Sequence, residues 1–415
     1  MSASSTRAIF RNRALMTLAA GHFTVDMYGG LLPVLYPLLT GRFDLDLKTV
    51  GMVALAYSGA SSLSQPFFGW LADRYGTRFT GFALAWSAIL FATIGFAPTF
   101  PLLLFFAALA GLGSGAFHPF GAINANAVIG DADRNTAMSI YVMGGTLGVS
   151  IGPIVGAILF SVFGVRGTAV MILPGLSIAI WLLFAMKARA VTGSRSKAYV
   201  PPAVQHAVPM ALIGIIVAVM MLRMFPTLGL QNFIPLWYDE MGYGPSFYGP
   251  LATTIVLSSA FGTLGAGRLA DRYGRRAVIV GSIILSLPAV WAFAEFPGRW
   301  GFVSGAAIGF LSASTSPLLL VMAQQLMVGR AGVASGLLLG LGFVAGAIGT
   351  PVFGVIADAA GTQNAVRAQI PIMLLSLVAA WLLPSERRIQ GILDERKRIE
   401  DEVLANAGAL SSTAD

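Results

Sequence analysis

The most informative stretch of the chain is Gly69-Trp70-Leu71-Ala72-Asp73-Arg74-Tyr75-Gly76-Thr77-Arg78. Nearly the same residues return as Gly267-Arg268-Leu269-Ala270-Asp271-Arg272-Tyr273-Gly274-Arg275-Arg276. Each copy follows one long apolar run and precedes another. The pattern predicts a charged, glycine-flanked hairpin between two membrane helices, formed once in each half of the chain.

The two copies are 198 residues apart (69 to 267), and other segments keep the same register. The offset relates Pro37 to Pro235, Gly51 to Gly249, Pro119 to Pro317, and Gly144, Gly148, Pro153 and Gly156 to Gly342, Gly346, Pro351 and Gly354. Because chance would not preserve one register across several separate segments, we interpret the chain as a tandem duplication.

The composition places most of the chain in a membrane. Of its 415 residues, 56% are hydrophobic and 11% are charged, with a mean hydropathy of +0.78, whereas soluble domains carry about 25% charged residues. A membrane helix needs roughly 20 apolar residues. Twelve apolar segments are long enough or nearly so, namely 13–38, 49–72, 78–96, 101–127, 136–160, 168–186, 207–232, 246–269, 277–294, 300–326, 333–357 and 366–384.

We therefore predict an all-α membrane protein of twelve transmembrane helices in two pseudo-symmetric six-helix bundles. The predicted domains are an N-terminal bundle (1–186), a cytoplasmic linker (187–206), a C-terminal bundle (207–384) and a cytoplasmic tail (385–415). Apolar residues recur at helical spacing among the mixed charges of the tail, which indicates an amphipathic helix. This helix either lies on the membrane surface or on the protein, or binds a partner.

The distribution of basic residues predicts the orientation. The net charge is +8, and alternate loops carry most of the arginines and lysines. The remaining loops hold only Arg42, Lys48, Arg166, Arg299 and Arg367. This asymmetry places both termini in the cytoplasm and explains the basic balance without nucleic acid, which we do not expect as a partner. The first apolar run is too long for a signal peptide, so we expect a retained helix.

Two motifs resemble those of the major facilitator superfamily. One is the repeated hairpin motif, which includes Gly69, Asp73, Arg74, Gly76 and Arg78, and Gly267, Asp271, Arg272, Gly274 and Arg276. The other resembles the glycine-proline motif in helix five of exporters of that superfamily, here Gly144, Gly148, Gly152, Pro153 and Gly156. The resemblance covers residues 13–384 and implies the major facilitator fold. It also implies that the helix-five glycines seal the interface between the halves.

Within that superfamily the chain is similar to the fosmidomycin-resistance-protein group of drug exporters. The similarity is carried by Gly21-His22 with Asp26, Tyr36-Pro37-Leu38-Leu39, Ser61-Ser62-Leu63-Ser64-Gln65-Pro66, Gly113-Ser114-Gly115-Ala116-Phe117-His118-Pro119 and Met143-Gly144-Gly145. The chain departs from the group at Phe120, where an acid is usual. It also has Ala107 where many proton-coupled exporters carry an arginine in helix four, so coupling through such an arginine is not available.

The resemblance implies a secondary active transporter rather than an enzyme. We expect a proton-coupled antiporter that exports small amphiphilic or anionic compounds by alternating access, as in drug efflux and antibiotic resistance. The alternatives are a proton-coupled importer of an organic anion or metabolite and, from another class, a lipid scramblase-like protein or non-transporting membrane sensor. We expect a monomer in a bacterial inner membrane, with small-molecule substrate, protons and lipids as partners. No cofactor is expected, because the chain has no Walker-type loop and the proton gradient supplies the energy.

Charged residues at membrane depth are the leading site candidates, because they are costly there and usually functional. Asp26 lies near the middle of helix one with His22 one turn away, and Arg223 lies at comparable depth in helix seven. We predict that Asp26 and Arg223 approach each other across the pseudo-twofold axis, where transporters bind substrate. A permanent structural pair is the alternative. His22 and His118 are candidates for proton transfer or substrate contact, or for local hydrogen bonds.

Polar and aromatic residues on the expected cavity-lining helices complete the candidate set. They are Tyr28, Tyr57, Asn124, Asn126, Tyr141, Gln231, Asn232, Ser314, Thr315 and Gln324. We expect no metal site, because the three histidines are scattered without metal-ligand spacing. Asp73 and Asp271 are predicted to act as cytoplasmic latches that stabilise the outward-open state. Their expected partners are the neighbouring arginines or the positive N-terminus of a facing helix, helix eleven for Asp73 and helix five for Asp271.

Overall fold

The computed structural model describes residues 12–128, 134–187, 209–313, 315–327 and 331–412. These residues form helices joined by short turns, with no strand in the described ranges. The first half contains α1 (Arg13–Phe43), α2, α3 (Thr80–Ile94), α4 (Phe100–Ala127), α5 (Arg134–Phe163) and α6 (Ile172–Met186). Helix α2 consists of Leu47–Ala54, a π-helical turn Leu55–Gly59, and Ala60–Tyr75. A 3-10 segment, Gly164–Met171, joins α5 to α6.

The second half repeats this order. It contains α7 (Met210–Glu240), α8 (Pro245–Tyr273), α9 (Arg275–Glu295), α10 (Trp300–Ala313 and Thr315–Leu326), α11 (Ala331–Ala360) and α12 (Thr362–Arg367 and Gln369–Trp381). The offset of 198 residues carries 47–75 of α2 onto the bounds of α8. The two-bundle, twelve-helix prediction is therefore confirmed. Most of the linker predicted at 187–206 lies outside the described residues.

Among the described residues, eight apolar helical runs, which cover α4 to α12, are long and apolar enough to cross a membrane by length and composition. Helix α3 is a shorter apolar helix. Helix α2 is divided by its π-helical turn, and α1 carries His22 and Asp26 within its apolar run.

Both repeated stretches form the predicted hairpin. Gly76 ends α2 with φ 82° and donates its N–H to Ala72 O at 2.8 Å, and Gly274 ends α8 with φ 85° and donates to Ala270 O at 2.8 Å. A residue with a side chain is strained at such positive φ, so glycine is required for the turn. In each copy of the motif, this glycine therefore marks the end of the helix and forms the turn.

The two halves meet at one end of the bundle. We call the end that carries Arg13 and the end of α12 the near end, and the opposite end the far end. The Leu47 and Lys48 amides donate to Asp358 at 3.0 Å each, and the Ile154 amide donates to Thr253 Oγ1 at 3.2 Å. In the described part of the chain these three hydrogen bonds join the halves; the first two lie at the far end, and the third lies about two helical turns inside it.

The hydrophobic core has the same asymmetry. One continuous cluster of buried residues runs from the first half into the far end of the second, where it includes Trp237, Tyr248 and Phe353. A separate cluster around Met220, Leu319 and Ile283 fills the near end of the second half. Because the far end is packed and bonded across the halves, the described conformation is closed at the far end.

A final helix, α13 (Glu386–Ser412), lies against the near end of the second half. Glu386 Oε1 accepts from the Arg275 amide at 3.1 Å, and Arg396 Nη2 donates to Leu326 O at 2.7 Å. Ile389 is buried in the near-end cluster. The tail helix was expected to lie on the membrane surface, to lie on the protein or to bind a partner. Its first turns lie on the protein.

Candidate proton and substrate site

Helix α1 places its two titratable residues on one face. His22 and Asp26 are four residues apart, a spacing that stacks side chains on the same side of an α-helix. His22 Nε2 lies 3.2 Å from Asp26 Oδ2. Helix α4 brings a second histidine to the other oxygen, with His118 Nε2 3.4 Å from Asp26 Oδ1. The carboxylate thus sits between two imidazoles from different helices.

The contacts of His22 fix where its protons can be. His22 Nδ1 lies 2.9 Å from the backbone oxygen of Tyr141, and a carbonyl oxygen accepts hydrogen bonds only. Nδ1 therefore carries a hydrogen, which leaves Nε2 as a bare acceptor in the neutral ring. A bare Nε2 facing a carboxylate oxygen at 3.2 Å would be two acceptors in contact. One additional proton, on His22 or on Asp26, turns this contact into a hydrogen bond.

The cluster is packed against aromatic rings and remains partly exposed. The His22 ring stacks on Tyr141, with centroids 4.3 Å apart, and lies edge-on to His118 at 5.2 Å. The side chains of Asp26 and His118 are 24% and 25% exposed, and that of His22 is 10% exposed. All three side chains therefore keep part of their surface exposed in this conformation.

Helix α5 approaches the cluster through a residue without a side chain. A Cβ atom on Gly145 would lie 2.4 Å from Asp26 Oδ2 and 2.6 Å from His22 Nε2. Only glycine allows α5 to pass this close. Sequence reasoning placed Gly145 in the family resemblance but did not connect it to the cluster. The missing signal was the distance between α1 and α5, which the sequence does not contain.

A line of hydroxyls continues from the cluster into α2. Ser114 Oγ lies 3.4 Å from His118 Nε2, and Ser61 Oγ donates to Ser114 Oγ at 3.3 Å. Ser61 and Ser114 are both buried. The site therefore has polar neighbours on α1, α2, α4 and α5, all within the first half.

The same cluster has the donor set of a metal site. The nearest ligand atoms of His22, Asp26 and His118 all lie within 4.8 Å of one another, although sequence spacing had indicated no such group. Two imidazoles and a carboxylate are ligands that Zn²⁺ accepts. The fold thus brings together two histidines that lie far apart in the sequence. The expectation of no metal site was based on that separation in sequence, so its reason no longer holds.

Arg223 does not meet Asp26 in this structure, so the predicted pair is wrong for this conformation. Arg223 is 2% exposed, and its Nε and Nη2 have no hydrogen-bond partner in the part of the chain that the structure describes. The offset of 198 relates Arg223 to Val25, one residue before Asp26, and one residue turns a side chain by about 100° around a helix. Arg223 accordingly lies on the buried stripe of α7 that also includes Met220 and Pro226.

The predicted cavity residues divide into several groups. Tyr28 and Asn124 are fully buried within the first half in this conformation, and their assignment to a cavity stays a prediction. Tyr28 donates to Met171 O at 3.2 Å, and Asn124 Nδ2 donates to Thr80 Oγ1 at 2.8 Å and contacts Thr77 in the hairpin.

Of the others, Tyr141 joins the histidine cluster, Tyr57 is buried in the π-helical turn, and Thr315 is buried in the second half. Gln231, Asn232 and Gln324 are partly exposed. Ser314 and the side chain of Asn126 lie outside the described residues, so their assignment stays a prediction.

The glycines of helix five have a different neighbour from the one the resemblance implied. Cβ atoms on Gly148 and Gly152 would lie 2.1 Å from Phe23 O and 2.7 Å from the Gly30 backbone, so these glycines bring α5 against α1 in the same half. The interface between halves is formed by the next turn, where Pro153 O lies beside Gly249 of α8. Gly156 also faces α1, near Leu31.

The charged hairpins lie at the near end. Asp271 and Arg272 are exposed in this conformation. Arg276 Nη2 donates to Trp381 O, and Arg74 lies over the ring of Trp70, 5.7 Å from its centroid. The side chain of Asp73 lies outside the described residues. The latch role of Asp73 and Asp271 stays a prediction.

Twelve helices in two related halves, with a polar cluster at mid-length and one end closed, define a membrane transporter. The family model of the Major Facilitator Superfamily matches residues 18–258 and 213–412, and the chain belongs to that family.

Individual relatives agree. The chain is 28% identical to the Fosmidomycin resistance protein of Escherichia coli (strain K12) over 390 residues, which cover 92% of this chain and 95% of that protein. It is 31% identical to the uncharacterized MFS-type transporter YfnC of Bacillus subtilis (strain 168), over 91% and 94% of the two chains.

The fold is also that of a solved structure, a bacterial homolog to the human lysosomal transporter Spinster in an inward-facing and unoccupied conformation. The TM-score is 0.76 at 16% identity, over 92% of this chain and 98% of that one.

Proposed function

We propose that the protein is a proton-coupled antiporter that exports small amphiphilic or anionic compounds across the bacterial inner membrane. The observation that carries the proposal is the contact between His22 Nε2 and Asp26 Oδ2 at 3.2 Å, where the tautomer of His22 leaves room for one proton. A group that gains and loses a single proton at membrane depth is what a proton-driven transporter requires.

The proton would act through the charge of the cluster. With the proton present, the His22–Asp26 contact is a hydrogen bond within the first half. When the proton leaves, two acceptors face each other, and Asp26 gains by turning to another donor, such as His118 or a substrate in the cavity. A ligand or proton shifts a conformational equilibrium only through such a difference in interaction between the two states.

Arg223 would provide the second contact for an anionic substrate. A guanidinium that is buried without a carboxylate is costly. Its free Nε and Nη2 lie on one edge of the planar group, and that edge can donate two parallel hydrogen bonds to a carboxylate or phosphonate. Met224 beside it is partly exposed, so a rotation of α7 in another conformation would expose Arg223 as well. An anion bound there would offset the buried charge.

The orientation follows from the distribution of charge. The near end carries the basic hairpins and the tail helix, and basic loops face the cytoplasm. The described conformation would then be open to the cytoplasm, the side from which an exporter collects substrate.

Transport in proteoliposomes with an imposed pH gradient tests the proposal, with panels of antibiotics and organic anions. We expect substrate flux opposite to the proton flux. Asp26→Asn should abolish gradient-driven flux and retain exchange without a gradient. Thr24→Val is the matched control, because Thr24 Oγ1 donates only to Ala20 O in the same helix. Flux in the same direction as the protons would indicate an importer, and flux that ignores the gradient would refute proton coupling.

A further inference from the structure

A carboxylate of the second half binds the start of a helix in the first half. Asp358, near the end of α11, accepts the Leu47 amide through Oδ1 and the Lys48 amide through Oδ2, each at 3.0 Å. These are the first two residues of α2. We propose that Asp358 is the latch that closes the far end, and that it must release α2 whenever the far end opens.

Among the described residues, these two amides of α2 have no other hydrogen-bond partner. The first turn of any helix leaves several N–H groups without a partner in the helix. In α2, the Thr49 amide donates to its own N-cap, Asp46 Oδ1, at 2.7 Å, and the Val50 amide donates to Asp46 O. The remaining amides, those of Leu47 and Lys48, are satisfied from the other half. The positive end of the helix dipole adds to this attraction for a carboxylate.

The backbones at the latch approach too closely for side chains to lie between them. A Cβ atom on Gly354, one turn before Asp358, would lie 2.5 Å from Lys48 Cα. One on Gly51 would lie 2.9 Å from Pro351 Cα. Two glycines on opposite helices therefore set the separation at which the carboxylate reaches both amides.

The duplicated half does not contain this device. The offset of 198 relates Leu47 and Lys48 to Pro245 and Ser246, and Asp358 to Phe160. Pro245 has no N–H to donate, and Phe160 has no acceptor. The corresponding pair, α5 and α8, is joined instead by the Ile154 amide and Thr253 Oγ1. The latch is thus a feature of one side of the interface rather than a consequence of the repeat.

The latch is also releasable, because Asp358 and Lys48 are exposed. Water can replace the carboxylate when the helices part, and can hydrate Asp358 once it is free. The contact therefore biases the equilibrium between conformations without locking it, as alternating access requires. The inference rests on alternating access alone, and not on the coupling ion or the substrate.

Distance measurements between spin labels test the latch. The chain has no cysteine, so labelled cysteines are placed at will. Cysteines replacing Thr99 and Arg299, exposed residues at the far end of each half, report far-end opening. Cysteines replacing Tyr75 and Tyr273 report the near end. Asp358→Asn should lower the ratio of far-end-closed to far-end-open molecules about fivefold, the effect of losing a typical charged cap.

Two further variants make the test specific. Glu240→Gln removes the same charge from another exposed far-end position and should leave the distances unchanged. Leu47→Pro removes one of the two amides and reproduces the residue of the second half. Proline is tolerated at the first position of a helix, and the extended backbone of Asp46 (φ −71°, ψ 164°) suits a residue before proline.

Leu47→Pro should shift the ratio in the same direction by about twofold, since one hydrogen bond of the pair remains. Unchanged distance distributions in both Asp358→Asn and Leu47→Pro would overturn the latch. Because no substrate or pH gradient is present, a failure of the proposed proton coupling would not affect this result.

Discussion

Gly145→Ala perturbs the candidate proton site without altering any charged group. The added methyl would lie 2.4 Å from Asp26 Oδ2, 2.6 Å from His22 Nε2 and 2.8 Å from His22 Cδ2. Contacts below 3.0 Å are essentially absent for real Cβ atoms. One of three things must give way: Asp26, His22, or the packing of α5 on α1.

The helices themselves have little freedom to separate. Gly144 and Gly148 place α5 directly against the backbone of α1, where Cβ atoms would lie 2.5 Å from Ala19 O and 2.1 Å from Phe23 O. The side chains should therefore move, and the His22–Asp26 contact should break. Overpacking of this kind costs about 1–3 kcal/mol, which corresponds to roughly a 5- to 150-fold change in an equilibrium.

Proteoliposome transport measures the consequence. We expect the rate driven by a pH gradient to fall by a factor in that range, while exchange of substrate without a gradient continues. Gly214→Ala is the matched control, because a Cβ at Gly214 meets no atom within 4 Å. A Gly145→Ala protein that keeps both the wild-type rate and its pH profile would show that the His22–Asp26 contact does not carry the proton.

Three further changes have defined outcomes. Arg223→Leu should raise the thermal unfolding midpoint, since a buried charge without an acidic partner is costly to remove from water, and should abolish transport of anions; a lower midpoint would mean that the guanidinium is compensated. Hydrogen bonds from Thr49 lower the pKa of Asp46, so this cap stabilises above the unfolded pKa and is lost as pH falls through the folded value; Asp46→Asn should flatten that acid decline in a pH series of unfolding midpoints, and an unchanged decline would contradict the assignment. Glu295→Gln removes a partly exposed ion pair in which Arg367 Nε and Nη2 each donate to a carboxylate oxygen at 2.7 Å, and should lower the midpoint only slightly, because solvent weakens even a bidentate pair; a large drop would give the pair a structural role.

Much of the architecture could be predicted from the sequence because its causes are local. The hairpin glycines, the apolar lengths and the repeat are all visible as spacing along the chain. The bounds of α2 and α8 agree at the offset of 198 for this reason. The positive φ of Gly76 and Gly274 follows from the same pattern.

The candidate site could be predicted only where its spacing was local. His22 and Asp26 share a helix face by their four-residue separation, and the sequence indicated this. His118 reaches Asp26 from another helix, and nothing in its surroundings in sequence distinguishes that contact from a local hydrogen bond. Arg223 was paired with Asp26 by pseudo-symmetry. The symmetry predicts the depth of a residue in the membrane to within a few residues, but it does not predict the direction of its side chain around the helix axis. A shift of one residue along the helix therefore changes the partner of the side chain.

The duplication also shows what is specific to each half. At the offset of 198, the cluster residues His22, Asp26 and His118 correspond to Met220, Met224 and Ser316, and Gly145 corresponds to Phe343. The second half has therefore lost, or never had, both the titratable groups and the glycine that admits them. Conversely, Arg223 corresponds to Val25. The acid and its proton belong to one half, and the unpaired cation to the other.

This division has a consequence for coupling. A proton that enters or leaves the cluster changes hydrogen bonds within the first half, so it acts on the relative position of the halves through the charge and the contacts of Asp26. A substrate that contacts Asp26 or His118 on one side and Arg223 on the other would span both halves, so its binding would depend on their relative position. In our proposal, the proton controls whether Asp26 is available to the substrate, and the substrate links the halves. The hydrogen bonds of Asp358 add to the free energy that is needed to open the far end.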